Sequence, residues 1–103
     1  MAGTVTGGLS PTKLATPEVQ AITNQVKSQL EERANAKYSI FKAVSDCTQV
    51  VAGTNYFIKV QTGDGERDYA HLRVFKALPS RGGGIEFVGY QLGKTKDDPI
   101  TYF

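Results

Sequence analysis

Two stretches of alternating apolar and polar residues, Tyr38 to Cys47 and Thr54 to Val60, adjoin at Gln49-Val50-Val51-Ala52-Gly53. A period of two marks extended strands, and two such runs parted by a few residues that include glycine fold back on each other. The junction is therefore a hairpin tip, and the other elements have to be arranged around that pair. Tips are ordinarily polar and rich in turn formers. This one carries Val50, Val51 and Ala52, apolar residues lifted away from any core the flanking strands could build. Exposed apolar surface on a loop marks contact with a partner.

Upstream of the hairpin the period is helical. Thr16-Pro17-Glu18 supplies a capping hydroxyl, a proline at the first helical position and a carboxylate in the positive first turn. Val19, Ile22, Val26 and Leu30 then recur at spacings of three and four, which puts one apolar stripe on one face, and Asn35 is the expected stop. Downstream, Tyr56, Ile58 and Val60 face one way and Phe57, Lys59 and Gln61 the other. A turn at residues 62–68 leads to a strand from Tyr69 to Ala77 with Leu72 and Val74 inward. The connection Leu78-Pro79-Ser80-Arg81-Gly82-Gly83-Gly84 leads to a last strand, Ile85 to Leu92. Phe41 and Val44 fall out of step, so a bulge is expected near Lys42. One helix followed by strands joined through turns too short for crossovers predicts an α+β fold, with a long N-terminal helix packed across a four- to five-stranded antiparallel sheet.

Turns alternate between the two ends of such a meander. The Val51 tip and the Leu78-Pro79 connection therefore share one end, and the turn at 62–68 takes the other. The helix enters the sheet through Tyr38, so its start lies a helix length away, beside the Val51 tip. Residues 1–15, with Gly3, Gly7, Gly8 and Pro11 among small and hydroxyl-bearing side chains, are too poor in apolar mass to pack and are expected to form a flexible arm at that same end.

The 103 residues allow one domain, burying about two-thirds of the surface of the unfolded chain. Twelve basic against ten acidic residues leave +2, without a basic stripe, so no nucleic-acid partner is expected. No apolar run reaches the roughly 18 residues that span a bilayer. A lone Cys47 and an N-terminus without the basic start and apolar stretch of a secretory signal predict a cytoplasmic protein.

Gln49 to Gly53 is, letter for letter, the signature of the cystatins, and the longer run to Val60 resembles the stefins, single-domain intracellular cystatins that block papain-like cysteine proteases. The likeness extends from Gly7 to Phe103, with His71-Leu72-Arg73-Val74-Phe75 in support and Thr101-Tyr102-Phe103 as a stefin-like ending. It implies a cystatin-like fold and a reversible, tight-binding, non-covalent inhibitor of papain-like proteases such as lysosomal cathepsins. A three-part wedge would enter the protease cleft: Gly7, Gly8 and Leu9 in the trunk, Gln49, Val50, Val51, Ala52 and Gly53 in the first hairpin, and Leu78 and Pro79 in the second. No cofactor is implied. The expected state is a monomer, with a domain-swapped dimer reachable by opening the first tip.

The chain departs from the family pattern in a slightly longer arm, a longer turn at 63–68, Leu14 in place of a common proline, Pro99 in the tail, and Ser80-Arg81 with three glycines in the second hairpin. The last of these predicts a weaker, more mobile second loop. An enzyme would have to be built from Cys47 and His71, with nothing in the sequence to bring them together or to supply a third, orienting group. The bland expectation is that Cys47 fills a strand and His71 lies on the sheet surface. One Cys and one His do not make a tetrahedral metal site, and no Lys-Ser or Lys-Thr follows Gly82 to Gly84 as in a phosphate loop. The competing class is a cystatin-fold interaction module without inhibitory activity, against which the apolar tip argues.

Overall fold

A computed structural model gives the fold, and the structure describes residues 8–103. In order come β1 (Lys13–Leu14), α1 (Pro17–Ala34), β2 (Lys42–Val51), β3 (Gly53–Gln61), β4 (Tyr69–Lys76), a 3-10 turn (Pro79–Arg81) and β5 (Ile85–Lys94). The strands form one antiparallel sheet in the order of the chain.

The helix begins and ends on the expected residues. Thr16 is the N-cap, its Oγ1 accepting from the Val19 amide at 3.3 Å, and Asn35 closes the other end in the left-handed region at φ 54°. Val19, Ile22, Val26 and Leu30 are buried against Ile58, Val60, Ala70, Leu72, Val74 and Phe87. Each such side chain contributes about 1.5–3 kcal/mol on full burial, so this interface is the main apolar contribution to the fold. Thr23 interrupts the stripe at no hydrogen-bonding cost, because its hydroxyl donates to the Val19 carbonyl at 2.8 Å.

Between helix and sheet the chain differs from expectation. The strand predicted from Tyr38 starts at Lys42, because the preceding backbone is held by helix side chains instead of a ladder. The Tyr38 amide donates to the Glu31 carboxylate at 2.9 Å, and Gln20 bridges from the Phe41 carbonyl to the Ala43 amide. The bulge falls between Ala43 and Ser45, at Val44, two residues beyond Lys42, near which it was expected. Before it Ala43 lies over Val60 on the helix side, while past it Cys47 pairs with Phe57 on the opposite side.

That opposite face is the largest departure from the sequence reading. It is roofed by the C-terminal segment, residues 95–103, which crosses it without regular structure. Phe57 lies beneath Tyr102 and Phe103 at ring distances of 5.6 and 5.8 Å. Arg73 stacks its guanidinium on Phe57 and Tyr102 and donates to the Phe103 carbonyl at 2.6 Å. Lys59 donates from Nζ to the carbonyls of Lys96 and Asp98 at 2.5 and 2.6 Å. His71, expected on the sheet surface, is fully buried for the same reason.

Candidate functional site

The first tip is one residue across. Val51 pairs with Gly53 at the end of the ladder and Ala52 stands at the apex, with Val50 81% and Val51 46% exposed. Gly53 has φ 126°, and a Cβ there would lie 2.6 Å from the Lys76 carbonyl and 2.7 Å from the Phe75 ring. The first hairpin can therefore sit against the end of β4 only through a residue without a side chain. Gly53→Ala combines backbone strain with a clash against main chain and is expected to cost about 1–3 kcal/mol, read as a lower midpoint in denaturant. An unchanged midpoint would mean that the tip does not need this backbone.

Gln49 braces the tip from behind. Its Oε1 accepts from Asn55 Nδ2 at 2.9 Å, across the β2–β3 ladder where the two residues are paired. The pair costs the tip freedom before any partner arrives, and a rigid tip loses less entropy on binding.

The arm is more firmly held than its composition predicts. Lys13 and Leu14 pair with Asp46 and Ser45. Lys13 Nζ reaches both oxygens of the fully buried Asp46 carboxylate at 2.8 and 3.0 Å, so this is a buried charge compensated by its own strand partner. Further out, the Ser10 amide donates to the Thr48 carbonyl at 2.8 Å, and the Thr48 amide returns a bond to Ser10 Oγ at 2.9 Å. Residues 9–15, expected as part of a flexible arm, are here bonded along β2, and Leu9 and Ala15 pack against the protein. Gly8 lies beside Gln49, where a Cβ would be 3.7 Å from the Gln49 amide nitrogen. There is room for a side chain, and it is φ 81° that selects glycine. Leu9 is only 5% exposed and packs with Cys47, Phe57 and Ile100, so its side chain faces the protein. Gly7 lies outside the described residues.

The second loop reaches the same end, since Lys76 pairs with Thr54 next to Gly53. Leu78 is 41% exposed and Pro79 is exposed beside it. The glycines do not leave this loop loose: the amides of Arg81 and Gly83 both donate to the Leu78 carbonyl, at 2.8 and 3.0 Å, and Gly82 donates to Pro79. The helix start adjoins this end as well, through a Lys76–Glu18 contact of 3.5 Å whose exposure makes it worth little. Gly8, the Val50–Val51–Ala52 tip and Leu78–Pro79 thus come together on one edge.

The residues that an enzyme would need are not brought together. Cys47 is buried with its Sγ 3.1 Å from Thr12 Oγ1, and neither ring nitrogen of the buried His71 has a hydrogen-bond partner among the described residues. A thiol and an imidazole that neither pair nor reach the surface cannot form a nucleophile and base. Among the described residues no cluster of His, Cys, Asp and Glu could hold a metal ion, and no helix is long and apolar enough to cross a membrane.

A helix lying across an antiparallel sheet, with an apolar tip flanked by a glycine arm and a second hairpin, defines a cystatin-type protein, and comparison with known families agrees. The cystatin domain profile matches residues 7–97. The chain is 52% identical to Cystatin-A of Homo sapiens over 99 residues, 96% of this chain and 99% of that one. It is 54% identical to Cystatin-B of Homo sapiens over 97 residues, 94% and 97% of the two chains. It is 50% identical to Leukocyte cysteine proteinase inhibitor 1 of Sus scrofa over 97 residues, 94% and 92%. The chain belongs to the cystatin family, and within it to the stefin type. It is not an enzyme.

Proposed function

We propose that this protein is a reversible, tight-binding inhibitor of papain-like cysteine proteases, lysosomal cathepsins among them, and that it acts in the cytoplasm. The observation that carries the reading is the shared edge on which Gly8, Val50, Val51, Ala52, Leu78 and Pro79 stand. The blunt tip fills the floor of the cleft over the catalytic thiolate. It presents no peptide bond in cleavable geometry, so no covalent step is needed. Leu78 and Pro79 cover the leaving-group side of the cleft, and the backbone at Gly7 and Gly8 runs flush along the other. Gln49 serves the tip from within through Asn55. Preformed surfaces burying about 1,600 Å² reach nanomolar affinity, around 12 kcal/mol, when few groups must be ordered on binding.

The test is inhibition of papain and of a panel of cathepsins by the full chain and by a chain lacking residues 1–8. The full chain is expected to inhibit at nanomolar concentration. The truncated chain is expected to lose affinity most against enzymes with open clefts, where the trunk has most surface to contact. Equal inhibition of every protease by both chains would remove the trunk from the mechanism, and no inhibition by the full chain would leave a cystatin-fold interaction module.

A further inference from the structure

Leu9 is the residue through which the arm is seated, and its seat is built from both ends of the chain. Among the described residues on the N-terminal side of Ser10, only Leu9 is buried. It shares one apolar cluster with Cys47 of β2, Phe57 of β3 and Ile100 of the C-terminal segment, against which Phe103 also packs. The cluster is separate from the helix-side core. Cys47 and Phe57 are fixed by the ladder. Ile100 is brought there by the C-terminal segment, which has anchors of its own: Lys59 on the carbonyls of Lys96 and Asp98, and Arg73 on the carbonyl of Phe103. The C-terminal segment is thus held to the sheet independently of the arm, and it presents one aliphatic side chain to the pocket that receives Leu9.

From this arrangement we infer that Ile100 is a positioning residue for the inhibitory trunk: the C-terminal segment, through Ile100, seats Leu9 and so fixes the course of the backbone at Gly8 beside Gln49. The inference rests on the wedge reading above and adds a second layer to it. With Ile100 in place, the backbone beside the first tip is ordered before a protease arrives, and its ordering entropy is not charged to binding. When the Ile100 side chain is shortened, Leu9 loses a wall of its pocket. The arm from Ser10 outward then depends more heavily on the bonds between Ser10 and Thr48.

A double-mutant cycle tests this in the full chain, combining Ile100→Ala with deletion of residues 1–8 and reading inhibition of papain. Ile100→Ala is expected to weaken inhibition about tenfold in the full chain and by less than about twofold in the truncated one, because a trunk that is absent cannot be misplaced. Ile100→Val should restore most of the loss, and Leu9→Ala should reproduce it without adding to Ile100→Ala. Equal losses in both backgrounds would overturn the inference, since Ile100 would then act by general stability or by direct contact with the protease. A protease-free readout is exchange of the Ser10 amide, which should speed up in Ile100→Ala while the amides of β3 and β4 stay protected. An unchanged Ser10 rate would likewise overturn it. Failure of the full chain to inhibit papain would sink the wedge reading alone, and the exchange experiment would still report on the seating of the arm.

Discussion

Val51→Asp is expected to weaken inhibition of papain about a thousandfold while leaving the fold untouched. Val51 is about half exposed beside the apex of the first tip, where in the proposed complex it becomes desolvated at the bottom of a cleft. Burying an unpaired carboxylate there, with loss of the apolar contact, costs several kcal/mol, and about 4 kcal/mol is three orders of magnitude in affinity. In the unbound protein the same carboxylate sits in water at a hairpin end, where substitutions change stability by about 0.5 kcal/mol or less. Inhibition and thermal unfolding measured on the same preparation separate the two effects. Retained inhibition would show that the tip does not enter the cleft, and a large loss of stability would show that Val51 is structural.

The second large effect is on acid stability, and it comes from His71. Its ring is fully buried on the roofed face, opposite Lys59 of β3 and Gln91 of β5, and neither nitrogen has a hydrogen-bond partner among the described residues. Desolvation first, then the ammonium groups of Lys59 and Lys94, push the imidazole down to about 4, against a smaller opposing pull from Asp98. In the unfolded chain the ring takes up its proton near pH 6.5. Between those values the unfolded chain binds more protons than the folded one, so stability is complete above about pH 6.5 and falls as pH drops toward 4. The shift corresponds to a loss of up to about 3 kcal/mol at pH 4. Asp98 acts in the same direction at lower pH. Its carboxylate, held below the usual range first by the Thr95 amide, loses that bond on protonation and with it part of the turn that carries the C-terminal segment. Denaturant unfolding at a series of pH values should show this slope in the wild type and a flatter one in His71→Gln, whose amide does not titrate. An equally steep profile in the variant would place the acid sensitivity elsewhere.

What the sequence made legible follows from which physical signals are local. The helix could be placed from its cap, Thr16, its apolar stripe and its stop, Asn35, because all three act within a turn or two of the chain. The tip could be placed because two runs of period two must meet there. The helix-facing side of β3 and β4 was equally plain in Ile58, Val60, Leu72 and Val74. The other side was not. His71 read as a surface residue because alternation distinguishes the two faces of a strand without saying whether the polar one is later covered. The cover is a segment with no period at all, and its contacts, from Tyr102 to Phe57 and from Lys59 to two carbonyls, span more than thirty-five residues. Leu9 was misleading for the same reason: a lone leucine in a glycine-rich stretch carries no sign of a pocket assembled from β2, β3 and the far terminus. The bulge at Val44 was detectable as a break in parity, but its position was set by Gln20, a helix residue holding the Phe41 carbonyl and the Ala43 amide.

The wedge mechanism makes its plainest commitment when papain of known active-site concentration is titrated with the full chain and the chain is recovered from the complex for mass measurement. The expected result is loss of activity at one inhibitor per active site, with a nanomolar dissociation constant, return of activity on dilution, and a recovered chain of unchanged mass. Papain that stays active at micromolar inhibitor, or a recovered chain cut between Gln49 and Gly53 or joined to the enzyme through Cys47, would contradict it.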